Sequence, residues 1–323
     1  MTVSSVNNSV NFKGQFVINN TNGSQLPSFC PHSKIARKLC NDVFIKISQE
    51  KQAEAVKELE RLFPNNELNQ IYNKIVKDYG IENPPQFVIN PHDTRVGAAY
   101  HNKTNSIILN PAMISDSKNC MKIKFEFESN GKTITGYYPA LDKPGEIKYV
   151  NSEKSYLPIK THLEKKGIKS SIEPLTDNDI RKTVILTLAH ELRHAYQAQL
   201  INQCEGLGMY KLLKEQALEG RKNLIDRKIT ELNFDNQYKT YNWSKYPTNI
   251  KYKKGTDEWN HINKIYDATL HYTPVTVDYK KYITNPIEID ADSVSAQYLE
   301  NNYPELCNSP SKDIIENLRA KLN

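Results

Sequence analysis

No stretch of this 323-residue chain is apolar for long enough to cross a bilayer. The longest largely apolar run, Val184 to Leu188, falls far short of the roughly 18 residues a span requires, so no membrane span is expected. The first residues lack a basic segment followed by an apolar one, which argues against Sec-type export. Cysteine is scarce: five residues, odd in number and scattered (Cys30, Cys40, Cys120, Cys204, Cys307), give no disulfide frame and fit reduced thiols in a cytosolic setting. Charge of one sign is never concentrated, because 43 basic and 37 acidic residues alternate along the chain and leave a net charge of +6. The short clusters Lys165, Lys166, Lys169 and Lys251, Lys253, Lys254 read as solvated surface, and no nucleic-acid partner is expected. Internal repeats are also missing. A hydrophobic share of 38%, a charged share of 25% and 19 Tyr beside 9 Phe describe a soluble, polar globular protein.

The chain divides by its patterning. Residues 1–28, rich in Ser and Asn with a short strand at Phe12 to Ile18, read as a flexible leader. Such a leader also suits export by a specialised non-Sec system, so the expected location is the cytoplasm or that route. Over Ser33 to Phe63 and Asn65 to Tyr79, apolar residues recur at helical spacing around the stop at Pro64, which predicts a helical N-terminal lobe over residues 29–82. Cys30, His32 and Cys40 in this lobe match no common zinc spacing and are read as ordinary thiols.

Beyond Gly80 and Pro84-Pro85 the period shortens to that of strands, at Gln86 to Ile89, Gly97 to His101 and Ser106 to Leu109. A longer hairpin, Lys122 to Glu128 and Lys132 to Tyr138, is closed by Asn130-Gly131. Downstream, Met209 to Ile229 and Asp257 to Leu270 read as helices, and residues 309–323 as a C-terminal helix. The fold class is α+β.

The densest chemistry lies in His190-Glu191-Leu192-Arg193-His194. Leu175, Thr176, Asp177, Asp179 and Ile180 supply cap, acidic first turn and hydrophobic staple for a helix over Asp177 to Asn202. At about 100 degrees per residue, Thr187, His190, Glu191 and His194 share one sector, while Ile185, Leu188, Ala189, Leu192 and Tyr196 fill the opposite one. Two imidazoles one turn apart can reach a single metal ion, with Glu191 beside its open position.

A catalytic zinc takes three protein ligands, so another must come from elsewhere. Asn285-Pro286 opens a second amphipathic helix carrying Glu288 and Asp292 on one edge. Glu288 can complete the metal shell, and Asp292 can accept the second N–H of a ligand histidine. Two other readings stand beside this. Asn285-x-x-Glu288 is also a capping-box pattern, and Asp290, Asp292, His261 and His271 are rival ligands. Tyr279 and Tyr282, close before that helix, read as structural.

His190-Glu191-x-x-His194 followed by Glu288-x-x-x-Asp292 on a later helix resembles the zincin metallopeptidases, in the branch whose third ligand is glutamate. The metzincin extension is missing, because Gln197 and Leu200 stand where its glycine and third histidine belong, and Arg193 is a charged residue where this class more often has none. The resemblance implies a zincin-like catalytic domain over residues 83–308, with the sheet and active-site helix in 83–203 and a helical sub-domain bearing the third ligand in 204–308. It implies one catalytic Zn²⁺ on His190, His194 and Glu288, with Glu191 as general base and Asp292 behind a ligand. The expected activity is metal-dependent hydrolysis of peptide bonds in a protein or peptide substrate bound in extended form. That substrate would lie against the Gly97 to Leu109 hairpin, with Ser106 to Leu109 as its edge. The alternative is a protein without proteolytic activity, a binding module of this fold or a structural zinc protein, conceivable as a secreted effector acting on a partner. Glu191 favours the enzyme, since a structural site has no use for a base beside an open coordination position.

Overall fold

A computed structural model describes residues 17–18, 49–89, 97–111, 117–129, 131–139, 148–238, 249–273, 277–307 and 312–322. Residues 33–48 of the helical pattern expected over Ser33 to Phe63, most of the leader, the Cys30-His32-Cys40 group and Asn130 lie outside the described residues. What remains is a mixed α+β architecture of two four-stranded sheets and a set of helices around one long central helix.

Helix α1 (Gln49–Leu62) ends at Pro64, and Asn65 and Asn66 turn the chain through the left-handed region (φ 54° and 63°) into α2 (Glu67–Asp78). Asn tolerates that conformation far better than a bulky residue, which is why the reversal fits in two positions. The first sheet has the order β1 (Val17–Ile18), β2 (Gln86–Ile89), β4 (Ser106–Leu109), β3 (Ala98–His101). The first three run parallel, and β3 is antiparallel to β4. Here one expectation is corrected: Ser106–Leu109 is not an edge but lies between β2 and β3, so the outer strand of the hairpin, among the described residues, is Ala98–His101. Sequence patterning sees the local hairpin, whereas the deciding pairing of β2 with β4 is long-range and parallel.

The second sheet is antiparallel and centres on β5 (Met121–Ser129), flanked by β6 (Lys132–Tyr137) and β7 (Tyr149–Val150) one after the other on one side and by β8 (Lys169–Pro174) on the other. The Ser129 and Lys132 pairing leaves a two-residue loop in which Gly131 has φ 72°, the left-handed geometry that the Asn-Gly signal predicts. Helix α3 (Glu153–Lys165), capped by Ser152, lies between β7 and β8.

Helix α4 (Asp177–Asn202) matches its predicted bounds, with the Thr176–Asp179 capping box formed. The region predicted as one helix from Met209 to Ile229 is two, α5 (Met209–Leu218) and α6 (Leu224–Tyr238). Gly220 (φ 74°) ends the first, as an αL glycine does after a helix. Then follow α7 (Asp257–Leu270), the short α8 (Tyr279–Ile283), α9 (Pro286–Asn302), a 3₁₀ turn at Pro304–Leu306 and α10 (Lys312–Leu322). Among the described residues, no helix is long and apolar enough to cross a membrane.

Among the described residues three hydrophobic cores result. The first joins α1, α2, the first sheet, the N-terminal half of α4 and the end of α9 through Leu59, Ile75, Ile107, Leu188 and Leu299. The two N-terminal helices therefore share the core of the sheet instead of building one of their own. The second joins the C-terminal half of α4 to α5, α6 and α7. The third lies between the second sheet, α3 and α10, around Phe125, Leu163 and Leu318.

A buried ion pair fixes where α4 begins: Lys122 Nζ of β5 donates to Asp179 Oδ2 at 2.9 Å, and the same oxygen accepts from Thr176 N and Oγ1. Burial alone would raise the Asp179 carboxyl, but the Thr176 and Lys122 donors outweigh it and hold it below its usual range. The stability this group contributes is thus present at neutral pH and lost as pH falls through the depressed folded value. Lys122→Ala removes the cation beside a buried carboxylate and is expected to lower unfolding free energy by about 3–5 kcal/mol, read from urea denaturation. Wild-type stability in that variant would show that the pair is not structural.

Candidate metal centre

His190 and His194 lie one turn apart on α4, whose opposite face is locked in the core by Ile185, Leu188, Ala189 and Leu192, all fully buried. That packing leaves the two imidazoles facing α9, which lies along α4. At the start of α9, Asn285 Oδ1 accepts from Ile287 N at 3.0 Å, and Asn285 Nδ2 donates to the Ala268 carbonyl of α7. Asn285 alone therefore caps the helix. Glu288, freed from the capping-box role, turns to the histidines.

Glu288 Oε2 is 3.2 Å from His190 Nε2, Glu288 Oε1 is 3.4 Å from His194 Nε2, and the two ring nitrogens are 3.0 Å apart. Ligand atoms of all three residues fall within 4.8 Å of one another, which makes them a group able to hold a metal ion. The chemistry fits a cation independently of that spacing. Glu288 is 4% exposed, and its Oε2 is buried with no donor in hydrogen-bonding geometry, an arrangement that is costly without a positive partner.

The surrounding groups prepare the nitrogens. Asp292 Oδ1 lies 2.8 Å from His190 Nδ1, so Nδ1 carries a proton and Nε2 is the nitrogen turned toward the cluster. His194 Nδ1 lies 2.9 Å from Gln197 Oε1. Gln197 Nε2 donates to the Ile287 carbonyl at 3.1 Å and to Asp290 Oδ2 at 2.8 Å, and Asp290 in turn receives Arg193 Nε at 2.7 Å and a second guanidinium nitrogen at 3.0 Å. The charged residue at position 193 thus has a structural partner, and the rival ligand Asp290 is engaged in pairing with it. Of the remaining rivals, Asp292 lies behind His190 on Nδ1, and His261 and His271 are exposed and stand outside the cluster.

Electrostatics follow from the buried carboxylate of Glu288 and the half-buried ones of Glu191 and Asp292 around two histidines. Burial would lower His190, but Asp292 and Glu288 outweigh it and raise it to about 10. His194 is raised in the same balance, against burial, chiefly by Glu288. Glu288 is driven far below its usual range, against burial, by both histidines. The metal-free cluster therefore carries protons at neutral pH, and a cation must displace them. The contribution of His190 to the stability of that form is fully present below its unfolded value near 6.5 and is lost as pH rises through about 10. Zinc uptake at pH 7 is expected to release about one to two protons. Calorimetry in buffers of different ionisation enthalpy reads this directly, and a heat independent of buffer would contradict it.

Glu191 stands between α4 and the first sheet. Its Oε2 accepts from Tyr100 N of β3 at 2.6 Å. The bond from Asn110 N to Gly97 O fixes the parity of the β3–β4 ladder, so Ala98 and Tyr100 point their backbone groups away from β4. Those outward groups form the outer edge that Glu191 touches. His101, half-buried on the same strand, has its basicity lowered by burial and lies within the field of Glu191.

Tyr272 and Tyr282 face Glu288 from the other side, with ring centroids 6.2 Å apart. Burial first and then the charge of Glu288 push both phenols well above their usual range, so both remain neutral donors. Tyr282, expected to be structural, is thus at the site. Tyr272 and Gln197 were not marked by sequence reasoning, and the side chain of Tyr279 lies outside the described residues. Compared with family models, curated proteins and solved structures, the chain matches none.

Proposed function

We propose that the chain is a zinc-dependent metallopeptidase of zincin-like, gluzincin type. The observation that carries this reading is the joint placement of a His190, His194 and Glu288 ligand group with Glu191 against the outward edge of β3. A two-histidine, one-carboxylate donor set suits zinc with an open fourth position, where the ion supplies Lewis acidity and lowers the pKa of a bound water.

The residues of the chain do the rest. The Glu191 carboxylate, steadied by Tyr100 N through Oε2, uses its other oxygen to take the proton from the attacking water and then passes it to the leaving amine. An extended peptide adds to β3, bonding to the outward N–H and carbonyl of Ala98 and to the carbonyl of Tyr100, whose N–H is held by Glu191. Tyr272 and Tyr282, neutral phenols beside Glu288, are the donors placed to hold the oxyanion of the tetrahedral intermediate.

The deciding experiment measures zinc per purified chain and cleavage across a broad peptide library. Stoichiometric zinc with cleavage supports the reading. Stoichiometric zinc with every peptide intact would leave a binding module or a structural centre in its place.

A further inference from the structure

Gln197 lies three residues beyond His194 on α4 and is 3% exposed, too deeply buried for its amide to be an idle surface group. Two of its neighbours, the Ile287 carbonyl and the Asp290 carboxylate, are acceptors, so the amide NH₂ must point at them. Only its oxygen is left for the His194 ring, and an amide oxygen can bond that ring only where Nδ1 bears a hydrogen. Asp290 cannot swing away, because Arg193 holds both of its oxygens from one turn back on α4. The guanidinium in turn stacks on the Tyr196 ring at 4.9 Å.

We propose that Gln197 is a positioning residue for the metal: through the clasp with Ile287, Asp290 and Arg193 it commits His194 to the Nδ1–H tautomer and seats the Glu288 helix on the histidine helix. The inference rests on the metal-centre reading and deepens it. His190 receives the same service from a carboxylate of α9, Asp292, whereas His194 receives it from its own helix by a neutral amide that must itself be oriented. Orientation comes from Ile287 and Asp290, which bracket Glu288 in sequence, so one set of bonds sets the second ligand and the register of the third.

The test uses the full chain and zinc alone. Gln197→Met keeps length and helix propensity and removes the acceptor; zinc affinity from chelator competition is expected to fall about 10–100-fold. The zinc-loaded wild type should show a His194 Nδ1–H proton resonance protected from exchange, and Gln197→Met should lose that protection. Gln197→Glu keeps an oxygen for His194 but turns an oxygen toward Ile287 and Asp290. It should retain the protected resonance, bind zinc less tightly than wild type and more tightly than Gln197→Met. Cobalt(II) substituted for zinc should show altered visible bands in the methionine variant, a change that loss of packing alone does not produce. Unchanged zinc affinity and an unchanged resonance in Gln197→Met would overturn the proposal. If that variant fails to fold, loss of the resonance in Gln197→Glu overturns it instead. Failure of the wild type to take up zinc or cobalt at all is a different result, and sinks the metal centre itself.

Discussion

Glu191→Gln is expected to lower kcat for peptide hydrolysis by about 10²–10⁴-fold while stoichiometric zinc stays bound. The substitution is nearly isosteric, and the amide oxygen of the glutamine can still accept from Tyr100 N, so the side chain keeps its place. Only proton acceptance is lost. The outward groups of Ala98 and Tyr100 are untouched, so substrate binding should change little and the effect should fall on kcat, not KM. A variant that cleaves at a wild-type rate would show that the base lies elsewhere, with His101 on β3 a titratable group in the field of that position. Comparing proteins cleaved in cells by the wild-type and Glu191→Gln forms would then identify the substrate without prior assumption.

The second large effect separates ligand from support. Glu288→Ala removes one of three protein ligands; if each carries a third of a zinc binding energy of about 12 kcal/mol, the loss is about 4 kcal/mol, or about 10³-fold. Such a chain should leave gel filtration without metal. Asp292→Ala leaves the shell intact and frees only His190 Nδ1, so affinity should fall about 10–100-fold and zinc should still be retained. Zinc content by elemental analysis, with a chelator titration, distinguishes the two. Retention by Glu288→Ala with loss in Asp292→Ala would exchange their roles.

The residues differ in how far the sequence announced them. His190, Glu191 and His194 are bound to one face by helix geometry, so covalent spacing suffices. Glu288 and Asp292 were readable because Asn285-Pro286 marks a helix start, and a start fixes which positions share an edge. Gln197 carries no such mark: its meaning depends on a carbonyl and a carboxylate of another helix. Tyr272 and Tyr282 belong to the same class, brought to Glu288 by a path without periodicity. The outer strand was misplaced because β3 and β4 are both short and apolar, and only the parallel partner of β4 decides which lies outside. Helix α3 escaped because Pro158 interrupts its pattern, although the Ser152 cap and the buried Tyr156 and Leu163 hold it. Arg193, a departure from the resembled class, became intelligible once Asp290 was placed opposite it.

The position of the cluster along its two helices has a consequence for cooperativity. Through Ala195 the residues of α4 belong to the first core and from Ala198 to the second, while α9 contributes Ile287 to the second and Leu299 to the first. His190, His194 and Glu288 therefore stand at the seam where both helices pass from one core to the other, bridged otherwise by Tyr100 and Tyr196, which pack against both. An ion held there is a rivet between two halves that are otherwise joined by the two helices, the two aromatic rings and the bonds of Gln199 and Lys251 to residues 80–82. With zinc the halves should melt as one cooperative unit, and a chelator should split that transition, the helical half around α5 to α7 loosening first.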